Sequence, residues 1–167
     1  MNRNWYAVYT KPQSEKKVAA LLLKKKIESF CPHNRVITGY GNKRKMVYEP
    51  LFPTFVFVLT SEIEMYEVRK TADVINFVYW LGKPAIIKTA EVEKIAQFNG
   101  AYYNIKVERS PVNAAAVSRI VNEAALTGVS STKVKLNLPS LGFTMYAETI
   151  KEAVTFEYDT RPSENLA

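Results

Sequence analysis

Cys31 and His33 stand two residues apart, a spacing at which a thiolate and an imidazole could share a metal ion or form a nucleophile–base pair. They are the only cysteine and the only histidine in the chain. A closed Cys/His zinc site therefore cannot be completed, and no internal disulfide can form. Cys31 reads as a small, semi-buried apolar residue, and His33 as a surface residue next to Pro32 in an extended segment. The other group suited to acid–base work is Glu62, Glu64 and Glu67. At the start of a helix these carboxylates are better explained by capping and by the helix dipole. Six glycines in all leave little scope for a phosphate-cradling loop, and no Walker-type lysine follows any of them. We expect no catalytic residues, no metal and no cofactor. The chemistry to look for is binding.

Charge says what kind. Twenty-three Lys and Arg against sixteen Asp and Glu leave a formal charge of +7, which favours a polyanionic partner. Lys11, Lys17 and Lys24 lie at the start and along one side of a predicted first helix, and Arg69 with Lys70 close a second. Such groups can follow a phosphate backbone, although a solvated helix face is the commoner reason for them. The 167 residues and 47% apolar content suit one ordinary domain, or one of about a hundred residues with a small companion. No stretch is long and apolar enough to span a membrane, and MNRNWYAVYTK lacks the apolar core of a secretion leader. The expectation is a soluble, cytoplasmic monomer.

The elements that must position these residues follow from local patterns. Trp5 to Thr10 reads as a strand, and Pro12 then suits the first turn of a helix running from Gln13 to about Ile27. Ser29 to Thr38 is extended, GYGN supplies turn chemistry, and Lys43, Arg44 and Lys45 open the return arm of a hairpin. Thr54 to Leu59 is the strongest strand signal. Ser61 and Glu64 match a capping box for a helix ending near Thr71. Val74 to Trp80 reads as one strand, and Thr89 caps a third helix carrying Val92, Ile95, Ala96 and Phe98. This order implies an α+β fold, an open and mainly antiparallel sheet with flanking helices, over residues 1–103. Residues 104–111 are polar, include Pro111 and read as a linker. Residues 112–157 read as a small second domain, with Lys133 to Leu138 and Phe143 to Thr149 extended around a Pro139–Gly142 turn. Val117, Ile120, Val121 and Ala124 fall at helical spacing, so a partly helical region is the alternative to a small barrel. Residues 158–167 form a polar tail.

The stretch EPLFPTFVFVL, Glu49 to Leu59, raises the sharpest question. Strand alternation puts Phe55, Phe57 and Leu59 on one face and Val56 and Val58 on the other. Both faces are apolar, so either the monomer covers both or one meets a partner.

WYAVYTK, SEKKV, Cys31-Pro32, KRKMVYEPLFPTFVFV and VINFVYWLGKP, taken in this order, resemble the N-terminal domain of NusG-type transcription elongation factors, from Trp5 to about Ala101. EPLFP and the lack of a long acidic insertion are more similar to the specialised paralogues of the RfaH and UpxY kind. The resemblance implies docking on the clamp helices of the largest RNA polymerase subunit through Tyr9, Phe52, Pro53, Phe55 and Phe57. It implies contact with the non-template DNA strand through Lys11, Lys17, Lys24, Arg69 and Lys70. It also implies processive transcription of particular operons, surface-polysaccharide ones among them. KVKLNLPSLGFTMYAET is similar to the later strands of the family's KOW barrel, whose known partners are Rho or a small-subunit ribosomal protein. The preceding SPVNAAAVSRIVNEAALTG lacks the glycines of the early barrel turns. A different reading is a free-standing single-stranded RNA binder, since TFVFV is similar to the RNP1 pattern. There Phe52-Pro53-Thr54 replaces the expected basic residue and glycine.

Overall fold

The computed structural model describes residues 2–110 and 131–150, and the elements follow the expected order with shifted ends. Strand β1 spans Asn4–Thr10, and helix α1 spans Glu15–Lys24, shorter than the apolar pattern implies. Gln13 and Lys26, both left-handed at φ 64° and 62°, stop the helix at either end. Behind Lys26, Ile27 N–H donates to Leu22 O and Lys26 N–H to Leu23 O, the Schellman arrangement with lysine in the usual place of glycine. Next come β2 (Glu28–Phe30), β3 (His33–Thr38), β4 (Lys45–Pro50) and β5 (Phe55–Thr60). Helix α2 covers only Met65–Arg69. Glu64 accepts from both the Ser61 N–H and the Ser61 hydroxyl at 3.0 Å, so the capping pair closes the turn ahead of the helix.

The expected single strand Val74 to Trp80 is broken. β6 covers Val74–Phe77, while β7 (Tyr79–Trp80) turns back on β8 (Lys83–Pro84) as a separate short hairpin. Helix α3 spans Thr89–Ala101. The expected linker holds a strand, β9 (Lys106–Arg109), which pairs antiparallel with β11 (Phe143–Ile150), itself paired with β10 (Ser131–Leu138). Polar side chains do not prevent this, because one edge partner needs only backbone groups and Val107 opposite Met145. The helical spacing at Val117 to Ala124, the strands a complete barrel would need, and the tail lie outside the described residues.

The main sheet runs β2-β5-β1-β6, antiparallel throughout, with Tyr6 opposite Val58, Ala7 opposite Phe57 and Tyr9 opposite Phe55. Its faces form two cores. Tyr6, Val8, Val56, Val58 and Phe77 pack with Val18 and Leu22 of α1 and Met65 and Val68 of α2. Trp5, Ala7 and Phe57 pack with Val92, Ile95 and Phe98 of α3 and with Leu138, Met145 and Ala147 of the C-terminal strands.

Candidate partner and nucleic-acid interfaces

The aromatic face grows out of the turn that enters β5. Thr54 sits in the left-handed region at φ 66°, a strained position for a β-branched residue. Three bonds hold it and its neighbours. Thr54 N–H donates to Glu15 Oε1 at 2.7 Å, Thr10 N–H donates to Thr54 O at 2.8 Å, and Phe55 N–H donates to Phe52 O. Glu15 is itself buried in the first turn of α1, where the helix dipole and this amide offset the desolvation of its carboxylate. Sequence patterns did not single out Glu15. An acid one residue past a potential cap, Ser14, is the signal that could have.

The geometry places Phe52 and Phe57 edge to face at 5.4 Å and Tyr9 against Phe55 at 4.8 Å. Of the five residues expected to meet a partner, Phe52 and Phe57 are buried at 4% and 1% exposure, and Phe55 is half-buried. Pro53 is exposed, and Tyr9 remains 37% exposed. The cover is the C-terminal hairpin. The Phe143 ring lies 5.9 Å from both Phe52 and Phe55. At the hairpin's turn, Ser140 donates from its N–H and its hydroxyl to the buried Glu91 carboxylate of α3, at 2.9 to 3.2 Å.

All five expected nucleic-acid residues are exposed. The turn after α2 joins two of them. Lys17 and Lys11 converge on Asp73, at 2.7 Å and 3.5 Å. Lys17, with Lys11 behind it, holds the Asp73 carboxyl below its ordinary range. Lys25 ties α1 to α2 by donating to Glu67 O at 2.9 Å. Arg69 bonds the Tyr79 hydroxyl at 2.8 Å and lies over the Phe77 ring, while the Lys70 ammonium sits 4.1 Å from the Tyr66 ring centre. Cations and exposed aromatics thus interleave beside Tyr66, Tyr79 and Trp80. Lys24 stands further along the same side of α1 as Lys17.

Cys31 and His33 do not form a site. Burial pushes the Cys31 thiol up to about 11 and also lowers the His33 pKa. Among the described residues, no group of three or more potential metal ligands assembles, and no helix is long and apolar enough to cross a membrane.

The α+β fold, a four-stranded antiparallel sheet with helices packed on it, is similar to that of a solved structure described as "Domain interaction in Thermotoga maritima NusG". The likeness covers 90% of this chain and 93% of that one at a TM-score of 0.53 and 21% identity, and it speaks for the fold. Residues 3–96 match the family described as "NusG: Transcription termination factor nusG", and the chain belongs to the NusG family. A curated relative, the transcription termination/antitermination protein NusG of Bacillus subtilis (strain 168), is 32% identical over 115 residues. That match takes in 60% of this chain and 64% of the relative, so the chain spans just under two thirds of the relative's length.

Proposed function

We propose that the chain is a non-catalytic transcription elongation or antitermination factor. In this reading Tyr9, Phe52, Pro53, Phe55 and Phe57 dock on the clamp helices of the largest RNA polymerase subunit. Lys11, Lys17, Lys24, Arg69 and Lys70 contact the non-template DNA strand, and the operons served are particular ones. Family membership supports the class, and one observation carries the site. The phenylalanine face is closed partly by strands far away in sequence, joined through Phe143 and the Ser140–Glu91 bonds, rather than by local helices alone. A cover of that kind can be lifted while the main sheet stays folded, so docking competes with the hairpin. No observation favours the RNA-binding alternative.

The test is capture of the full chain by core RNA polymerase. Hydrogen bonds to a charged group contribute roughly 1.5–3 kcal/mol each. Losing about 2 kcal/mol of closure raises the open fraction about thirtyfold. Glu91→Gln combined with Ser140→Ala should therefore increase capture, and adding Phe55→Asp should abolish it. Capture of the Phe55→Asp protein equal to that of its parent would remove the docking claim.

A further inference from the structure

The basic motif that the proposed DNA contact leaves unused is Lys43-Arg44-Lys45. It sits at the tip of the β3–β4 hairpin, away from the main sheet. All three side chains are exposed, Tyr40 beside them is 94% exposed, and none of the three has an acidic partner among the described residues. Around α1, by contrast, Lys11 and Lys17 share Asp73 and Lys25 meets Glu67, while Lys24, Arg69 and Lys70 form no ion pair among the described residues. The hairpin's one carboxylate, Glu49, pairs with Asn34 near the base, about 13 Å from the tip at about 3.3 Å per residue.

The tip is held on a braced arm. Asn34, buried, donates to Ile105 O at 2.8 Å and accepts from Ile105 N–H at 3.0 Å. Arg35 donates to Asn99 O and Gly100 O at the end of α3 and stacks on Tyr103 at 4.2 Å, so it is committed to the brace. Ile37 N–H donates to Asn104 Oδ1. At the tip, Gly39 takes φ 92°, and a Cβ there would meet Lys43 O at 2.3 Å, so the turn that gathers the cations depends on glycine.

We infer that the Lys43-Arg44-Lys45 tip is a second, independent contact for a nucleic-acid sugar–phosphate backbone, held at a fixed reach from the α1–α2 layer by the braced arm. Three unneutralised cations on a projecting turn match the periodic charge of a phosphate chain, and the exposed Tyr40 ring can lie against sugar or base. Binding at two points on one rigid body raises affinity through effective concentration. The inference rests on the nucleic-acid part of the proposed function.

The test measures binding of the full chain to a short random-sequence DNA duplex, and separately to one of its strands, over a salt series. Lys43→Gln with Arg44→Gln and Lys45→Gln should weaken binding about tenfold or more at low salt. The salt slope should fall by about 0.9 per lost contact on duplex, or about 0.7 on single strand, and the larger effect identifies which form the tip meets. Gly39→Val keeps every charge and misplaces the tip, so it should weaken binding while leaving the far-UV spectrum unchanged. Lys17→Ala with Lys24→Ala reports on the other layer. A changed slope in that pair with an unchanged slope in the tip variant overturns the arm contact alone. Unchanged slopes in both overturn the nucleic-acid reading and the inference with it.

Discussion

Strand β5 serves two masters, and its alternate residues show how differently its sides are built. Val56 and Val58 face a core made wholly within residues 6–77, from α1, α2 and β6. Phe55 and Phe57 face a core completed by α3 and by strands from residues 106–109 and 131–150. The valine side is branched, stiff and fully buried, which suits a permanent core. The phenylalanine side places large planar surfaces beneath a cover brought in from distant sequence, with Phe143, Leu138, Met145 and Ala147 among its apolar contacts and the Glu91–Ser140 bonds at its turn. In the proposed function one strand supports both a fold and a replaceable contact, because period two separates the two tasks residue by residue.

The largest effect should come from placing a charge on each side in turn. Val56 is fully buried with no polar partner, so Val56→Asp buries an uncompensated carboxylate at several kcal/mol, comparable with total stability. We expect its cooperative thermal transition to disappear. Phe55→Asp, at a half-buried site, should unfold cooperatively with a loss of only about 1–2 kcal/mol. Equal damage by both substitutions would erase the distinction. A milder change sharpens it. Phe143→Ala removes the ring packed on Phe52 and Phe55, and a half-buried ring is worth about 2 kcal/mol here. Amide exchange in β9, β10 and β11 should accelerate about thirtyfold, with β1 and β5 unchanged. Acceleration spread evenly over all five strands would mean that the two covers open together.

Much of this division was legible in the sequence. Alternation is a local property, so FVFVL sorted its residues onto the correct faces, and the strand and helix order followed from turn and cap residues. What lay beyond reach depends on contacts between distant segments. Nothing in Lys133 to Leu138 says what its apolar side meets, so the burial of Phe52 and Phe57 beneath this hairpin was open until Phe143 could be placed. Lys106–Arg109 reads as linker because its pairing with Phe143–Tyr146 uses backbone groups that carry no sequence signal. The basic residues were identifiable by type, but the Asp73 bridge joining Lys11 to Lys17 required the α2–β6 turn to fold against α1. Val74 to Trp80 misled for a related reason. Val78 N–H donates to Ala7 O, but the chain then leaves β1 to form its own hairpin with Lys83–Pro84.

Cys31 gives the smallest effect and the finest probe of the comparison, because it packs against the valine-side core. Burial is the main reason its thiol is pushed up from 9.0 to about 11, the Glu15 carboxylate adds to the rise, and Lys16 opposes it. Only the thiolate is alkylated, so at pH 8 a thiol pushed from 9.0 to about 11 should be modified about a hundredfold more slowly than in the unfolded chain. The sign for stability follows. A pKa raised by folding favours the protonated thiol, so this contribution is complete below pH 9 and is lost as the pH climbs towards 11. Measured by iodoacetamide labelling, Phe143→Ala should leave the slow rate unchanged, since lifting the hairpin does not touch the valine side. Val56→Asp should bring the rate up to that of the unfolded chain. A fast Cys31 in the Phe143→Ala protein would show that the two faces share one cooperative unit, and the cover could then not be lifted without loosening the sheet beneath it.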